Sequence, residues 1–234
     1  MSHKPMVRWP IDIQRTAVIV VDMMNEFCAP GGPLYVPKTR DIVGNIQALL
    51  DVARRAGLPV IYLSHILRAD GSDDAGRLAD VFPAVKAGAI LREGSPNAET
   101  LAELAPQPGD LHVVKRFYDG FFGTDLDALL RARDITTLVI CGTLTNVCCD
   151  TTARGAVHRE YKVIFLSDAN ATMDYPDMGW GELSSEIVQR VTLTMLAFAF
   201  CQVSPTSEVI AEIERASGRA GGTRAEPALA SARG

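Results

Sequence analysis

The sequence predicts a three-layer α/β/α sandwich built on a doubly wound parallel sheet of five to six strands. Short, near-continuous apolar runs rich in Val and Ile recur along the chain, and amphipathic helical patterns lie between them. Parallel strands that are covered on both faces have such unbroken runs, and strand–helix alternation favours a parallel sheet. Apolar residues make up 47% of the 234 residues, enough for a sizeable core. We therefore expect one domain over 1–216.

Five segments are predicted as buried strands, and a weaker sixth candidate is CQVS. The five are short, near-continuous apolar runs rich in Val and Ile, which pack well on a pleated surface. In chain order the six segments are 16–22, 58–64, 111–115, 136–142, 161–167 and 201–204.

Helical patterns fill the intervals between these strands. In 40–57 the apolar residues fall roughly on one face, and Gly57 provides a C-terminal stop. A helix is expected after Thr124, which is an N-cap residue type, and another from Cys148 to about Arg159. The segment 182–200 is apolar nearly all round late in its course, so we expect it to be deeply buried or to lie at a subunit contact.

Three stretches are expected to be irregular. The connection 65–97 is long for a compact domain, and such loops are often lids or binding loops. The stretch 173–182, MDYPDMGWGE, is a second irregular piece. The Gly/Ala/Arg-rich stretch 217–234 is predicted to be a disordered tail.

Charge and cysteine content restrict the partners and the compartment. The net charge is −5 and no long basic run occurs, which argues against nucleic acid or a membrane surface as a partner. Five cysteines suit neither a disulfide framework nor a C-x-x-C metal site. The start, MSHKPMVRWP, has no apolar signal core, so a reducing cytoplasm is the expected location.

Three strands end in groups that suit catalysis. The first ends in Asp22, the third in Lys115, and the fourth leads through TLTNV into Cys148. Ligands of open parallel sheets bind beyond the carboxyl ends of the strands. Because neighbouring strands lie about 4.8 Å apart, we expect the three strands to be neighbours. This favours the order 2-1-3-4-5 over 3-2-1-4-5.

The three groups together describe acyl transfer through a thioester. Cys148 is expected in the first turn of a helix, where the helix dipole and a nearby ammonium favour the thiolate. Asp22 can take the thiol proton and later deliver it to a leaving amine, while Lys115 holds Asp22 and offsets negative charge. Free N–H groups of the TLTNVC turn could form an oxyanion hole.

Several other residues have competing interpretations. Cys149 lies about 100° from Cys148 around a helix, so the two cannot both face the pocket, although a vicinal disulfide or metal pair stays open. His65 could contact substrate or ligate a metal, but no D-x-H or H-x-x-x-H pattern accompanies it. The aromatic cluster after Lys115 is either a pocket wall or a hydrophobic plug. The position after Lys115 favours a pocket wall for Tyr118, Phe121 and Phe122. Cys28, Cys141 and Cys201 are expected to pack in the core.

The blocks AVIVVDMMNEF, KRFYDGFFGTDL and GTLTNVCCDTTARGA resemble those of the isochorismatase-like cysteine hydrolases, which have a Rossmann-like fold. The resemblance covers roughly 16–203. It implies that Asp22 is the acid/base, Lys115 the catalytic lysine and Cys148 the nucleophile. It also implies a cis peptide between Thr143 and Leu144, which turns the N–H of Leu144 toward the oxyanion beside that of Cys148.

The resemblance also implies a pocket and a substrate class. Residues expected to contact substrate are Asn25, Phe27, His65, Tyr118, Phe121 and Asn146. Met24 stands where many members have Gln, and Gly155 replaces a frequent Asp. The metal ligands of the nicotinamidases in this superfamily are missing, so we expect no metal and no cofactor.

We therefore expect a cysteine amidohydrolase that cleaves a C–N bond of a small amide or ureide. N-carbamoyl compounds, ureidoacrylate, biuret and triuret are the candidate substrates. Two alternatives remain: a vinyl-ether hydrolase of the isochorismatase type, and a catalytically silent binding member of the family. A homo-oligomer, either dimer or tetramer, is expected.

Overall fold

In the computed structural model of the chain, residues 7–73 and 76–221 are described, the last three without their side chains. Six parallel strands form one sheet in the order β3-β2-β1-β4-β5-β6. All six predicted strands are confirmed. Their bounds are β1 Thr16–Val21, β2 Val60–His65, β3 Leu111–Lys115, β4 Thr137–Thr143, β5 Lys162–Ala171 and β6 Gln202–Ser204.

The predicted strand order 2-1-3-4-5 is wrong. β2 lies between β1 and β3, so Lys115 is two strands away from the strand that ends in Asp22. Lys115 pairs in register with His65, the last residue of β2. The prediction required adjacent strands because it left out the length of the lysine side chain. A flexible four-carbon stem carries the ammonium group across the end of β2.

Helices cover both faces of the sheet. Their bounds are α1 Asn25–Cys28, α2 Thr39–Arg55, α3 Arg77–Val81, α4 Pro83–Lys86, α5 Leu126–Arg131, α6 Asp150–Val157, α7 Ser185–Ala199 and α8 Thr206–Gly221. Two separate hydrophobic cores result: α2 and α8 pack on one face of the sheet, and α5, α6 and α7 pack on the other. Alternate residues of β1 enter each core, as Val20 and Ile19 show. The three-layer sandwich is confirmed.

The expected deep burial of the segment 182–200 is wrong for one face of α7. Val188 and Leu196 face the core, whereas Val191, Met195 and Phe198 are exposed by 48%, 53% and 74%. A helix that packs on a sheet buries only one stripe. The rest of the apolar surface of α7 is left uncovered by the part of the chain that the structure describes.

The two irregular segments follow β2 and β5, and an isolated bridge closes each of them. The long connection after β2 contains α3 and α4. Within it, the backbones of Leu67 and Arg92 form an isolated parallel bridge. The stretch 173–182 is irregular, as predicted, and a bridge between Tyr175 and Leu183 closes it. Helix α8 continues to Gly221, past the predicted boundary at 216, and the rest of the predicted tail lies outside the described residues. Among the described helices, none is long and apolar enough to cross a membrane.

Candidate active site

Asp22 follows the last residue of β1 in an unusual backbone conformation. Its φ is 51°, in the left-handed region. The adjacent strand packs closely here: a Cβ on Gly142 would lie 2.0 Å from the carbonyl oxygen of Val21, and the φ of Gly142 is 131°. Only glycine fits such an approach. The end of β4 is therefore held tightly against the backbone that presents Asp22.

Asp22 and Lys115 form a fully buried ion pair. The Lys115 Nζ lies 2.8 Å from Oδ2 of Asp22, and both side chains have no exposed surface. The other oxygen, Oδ1, accepts a 2.8 Å hydrogen bond from the amide N–H of His65. Burial acts to lower the pKa of Lys115, but the negative charge of Asp22 and the Cys148 sulfur outweigh it, so the pKa is raised. Lys115 is therefore an ammonium ion at neutral pH.

Cys148 completes the group. Helical structure after β4 begins with a π-helical turn, Thr145–Cys149, which leads into α6, so Cys148 lies in the first helical turn as predicted. Its Sγ, a carboxylate oxygen of Asp22 and a ring nitrogen of His65 all lie within 4.8 Å of one another. The three predicted groups therefore converge in one place, although their strands are not all neighbours.

The expected stabilisation of the Cys148 thiolate is not found. Burial raises the pKa of Cys148 well above that of an ordinary thiol, and the carboxylate of Asp22 raises it further. Lys115 lowers it, but by less. Removing the sulfur from water costs the thiolate more than the ammonium returns. Cys148 is thus a neutral thiol beside a carboxylate that can accept its proton.

The peptide bond between Thr143 and Leu144 is cis, as the resemblance implies. It lies between β4 and the π-helical turn that carries Cys148. All five cysteines are free, so Cys148 and Cys149 are not joined in a vicinal disulfide. Cys149 is completely buried, and burial raises its pKa well above the ordinary value.

His65 and Tyr118 lie beside the three polar groups. The Nε2 of His65 is 3.2 Å from the carbonyl oxygen of Arg116, and its ring meets that of Tyr118 edge-on at 5.9 Å. Burial, with the positive charge of Lys115, lowers the pKa of His65 to about 4, so its ring is neutral at pH 7. Burial and the nearby Cys148 raise the pKa of Tyr118. Both rings therefore lie near the group formed by Asp22, Lys115 and Cys148.

Three of the residue types that bind Zn²⁺ meet here, since Asp22, His65 and Cys148 offer an oxygen, a nitrogen and a sulfur. However, the Lys115 ammonium already occupies one side of the Asp22 carboxylate. A second cation at this point would be repelled by Lys115 and would have to take the place of its ion pair.

Asn146 stabilises the nucleophile turn, which is the π-helical turn Thr145–Cys149 that carries Cys148. Its Nδ2 donates to the hydroxyl of Tyr175 at 2.9 Å, and its Oδ1 accepts from the hydroxyl of Thr172 at 2.5 Å. Both polar atoms of the side chain are bound by residues that follow β5. Sequence reasoning missed Tyr175 and Thr172, because no motif links them to a turn almost thirty residues earlier.

The other predicted pocket residues have varied surroundings. Asn25 donates from Nδ2 to the carbonyl of Pro96 at 3.0 Å, which ties α1 to the long connection. Phe27 is buried in the core on the α2 side. Phe121 is buried in the other core and stacks on Tyr161. Packing explains both phenylalanines without a substrate. The final member of the aromatic cluster, Phe122, is 59% exposed, so it is not a buried hydrophobic plug.

A parallel α/β sheet that gathers a carboxylate, an ammonium ion and a thiol beyond its strand ends defines a hydrolase-type enzyme. Residues 16–193 match the family model described as the isochorismatase domain, and the chain belongs to that family. The ureidoacrylate amidohydrolase RutB of Caulobacter segnis is 34% identical over an alignment of 216 residues that covers 85% of this chain and 86% of that protein.

Solved structures agree with this assignment. A cysteine hydrolase from Pseudomonas syringae pv. phaseolicola is 57% identical, with a TM-score of 0.88 over 92% of this chain and 100% of that one. The N-carbamoylsarcosine amidase of Thermoplasma acidophilum is 29% identical, with a TM-score of 0.64 over 82% and 96% of the two chains. The family predicted from three short motifs is thus confirmed.

Proposed function

We propose that this protein hydrolyses a C–N bond of a small ureide through a thioester on Cys148. The protein is an amidohydrolase of the isochorismatase family, acting on C–N bonds other than peptide bonds. The nucleophile, the route and the ureide class are the proposed parts. One observation carries them: a neutral thiol and a carboxylate that is ion-paired to a buried ammonium lie within a few ångströms of each other.

The proposed reaction begins with a coupled proton transfer. Because the pKa of Cys148 is raised, free thiolate is scarce, and Asp22 takes the proton as the sulfur attacks the carbonyl carbon. The carbonyl oxygen becomes an oxyanion. The N–H groups of Leu144 and Cys148 are its proposed donors, and each such donor is worth about 3–4 kcal/mol where measured.

The tetrahedral intermediate then collapses. The C–N bond breaks, and Asp22 delivers its proton to the departing nitrogen, which leaves as ammonia or an amine. Water enters, loses a proton to Asp22 and attacks the thioester. The C–S bond breaks, the acid product leaves, and the proton returns to the sulfur. Lys115 remains an ammonium ion throughout and keeps the charge of the Asp22 carboxylate balanced.

The ureide class is supported by two relatives. Ureidoacrylate and N-carbamoylsarcosine, the compounds in their names, share an N-carbamoyl group. A flat, polar group of this size needs hydrogen-bond donors and acceptors. A ring nitrogen of His65 lies within 4.8 Å of the sulfur, and the hydroxyl of Tyr118 is near enough for Cys148 to raise its pKa. We propose that these two side chains orient the carbamoyl group.

Ammonia release from a panel of ureides and primary amides tests the proposal. The wild type is expected to release ammonia from at least one N-carbamoyl compound, and Cys148→Ala is expected to lose this activity. Cys149→Ala, which removes the adjacent buried sulfur, serves as the matched control and should keep it. If the wild type releases no ammonia from any compound of the panel, the ureide class is contradicted. Full activity of Cys148→Ala would contradict the thioester intermediate.

Two broader expectations accompany this function. The free thiols agree with a reducing, cytoplasmic location, which stays a prediction. Self-association into a dimer or tetramer is likewise proposed.

A further inference from the structure

A stripe of exposed apolar side chains runs along the outer face of α7. It begins just before the helix at Leu183, and the spacing of its members places them within about 120° of the helix circumference. The side chains are exposed by 41% to 74%. The members of this α7 stripe are Leu183, Ile187, Val191, Met195 and Phe198.

The irregular stretch before α7 extends the apolar surface. Met178 is 76% exposed and Trp180 is 93% exposed. They lie at the tip of a loop whose two sides are joined where Tyr175 pairs with Leu183, the first member of the α7 stripe. The amide N–H groups of Gly179 and Gly181 both donate to Asp177, so the tip has a defined shape. A shaped loop that presents a tryptophan to solvent is typical of a binding surface.

The exposed area fits a partner of protein size. The α7 stripe with Met178 and Trp180 exposes roughly 800 Å², if a fully exposed large side chain offers about 150–250 Å². A stable protein–protein interface buries about 800 Å² on each partner. Isolated exposed apolar side chains are normal on a monomer, but this much exposed apolar surface on one helix and the loop before it is not.

We infer that this surface binds a second copy of the chain, with α7 packed antiparallel against α7 about a two-fold axis. The two-fold axis passes beside Val191, the middle member of the α7 stripe, so that Val191 of each copy faces Val191 of the other. An apolar helix also needs an apolar partner surface, and the second copy supplies an identical one.

Self-association at this surface bears on the active site. The loop that carries Trp180 also carries Tyr175, whose hydroxyl accepts a hydrogen bond from Asn146 in the nucleophile turn. A partner that covers the loop tip would hold the loop still, and with it the brace on the turn of Cys148. The inference extends the self-association proposed above and does not depend on the identity of the substrate.

Analytical ultracentrifugation with matched variants tests the surface. Val191→Lys places a charge in the middle of the α7 stripe, and Val81→Lys places one at an exposed valine on α3. The wild type and Val81→Lys are expected to sediment as dimers or larger species at micromolar concentration. Val191→Lys is expected to sediment as a monomer, or to dissociate at least about 100-fold more readily. Equal association of the two variants, or a monomeric wild type at 100 µM, overturns the inference.

Cross-linking tests the two-fold arrangement without disrupting the surface. All five native cysteines are buried, so Val191→Cys adds the one exposed thiol of the described residues. Mild oxidation is expected to convert most of this variant to a covalent dimer, and to leave a Val81→Cys control unlinked. No covalent dimer from Val191→Cys, or similar yields from both, overturns the arrangement. Because neither readout uses catalysis, an inactive protein would leave the result intact.

Discussion

The amide N–H of His65 donates to Oδ1 of Asp22 at 2.8 Å, while Lys115 holds the other oxygen of the same carboxylate. The strand between Asp22 and Lys115 therefore takes part in the site, because its last residue fixes the orientation of the acid. A carboxylate that is held at both oxygens, by a hydrogen bond and by an ion pair, has little freedom to rotate. It is preorganised to exchange a proton with Cys148.

Replacement of Lys115 by methionine should slow catalysis strongly and destabilise the fold. Lys115→Met keeps the length of the side chain but leaves the Asp22 carboxylate buried without its counter-ion, at a cost of about 3–5 kcal/mol. Urea unfolding should show this loss, and kcat/KM should fall by about 10²–10⁴-fold. The double variant Asp22→Asn, Lys115→Met removes both charges and should recover much of the stability but none of the activity. A single variant as stable as the wild type would contradict the ion pair.

Asp22→Asn should make Cys148 easier to alkylate while it stops hydrolysis. The negative charge of Asp22 raises the pKa of Cys148 and Lys115 lowers it. With the negative charge gone, the pKa of the thiol falls and more thiolate is present at pH 8. Iodoacetamide should therefore label Cys148 faster in the variant, as peptide mass spectrometry of timed samples would show. The rate for Cys201, far from the change, is the internal control, and slower labelling of Cys148 would refute the assignment.

The stability of the protein should fall between pH 6.5 and pH 4 because of His65. Burial lowers its pKa from 6.5 in the unfolded chain to about 4 in the folded protein. Below pH 6.5 the unfolded chain binds a proton that the folded protein does not, so acid favours unfolding until about pH 4. The difference is on the order of 3 kcal/mol. Urea unfolding of His65→Gln should show a flatter profile, and parallel profiles would disprove the shift.

Much of the fold follows from the sequence because buried parallel strands leave a simple pattern. Near-continuous apolar runs mark the first five strands, and only the sixth, CQVS, has a weak pattern. The strand order does not follow, because no local pattern records which strands are neighbours, and the assumption that Lys115 needed an adjacent strand was wrong. The sequence also does not predict which apolar residues of α7 are exposed. An apolar residue such as Val191 gives the same helical pattern whether it faces the core or a partner.

The site was predictable where motif and strand end coincide, as at Asp22, Lys115 and Cys148. Its electrostatics were not predictable. The helix position of Cys148 suggested a thiolate, but the pKa depends on burial and on charges brought together only by folding. The contact between Asn146 and Tyr175 was equally hidden, since a tyrosine in an irregular stretch carries no pairing signal.

Gly142→Ala should disrupt the fold at the base of the active site. The new methyl group would lie 2.0 Å from the carbonyl oxygen of Val21, and the φ of 131° disfavours any side chain. We expect a loss of more than about 4 kcal/mol, or failure to fold. Gly44→Ala is the control, because Gly44 lies on an exposed turn of α2 with open space around it. That variant should gain up to about 1 kcal/mol in thermal or urea unfolding.

Tyr175→Phe should lower kcat through the nucleophile turn, because it removes the hydroxyl that Asn146 contacts at 2.9 Å. The matched control is Tyr161→Phe, which removes a 2.8 Å hydrogen bond to Asp127. Each variant should lose about 1 kcal/mol of stability. Only Tyr175→Phe should also lower kcat, by about fivefold if a similar energy is lost in the transition state. If the two variants keep equal kcat values, the loop does not brace Cys148, and the link from the α7 surface to catalysis fails with it.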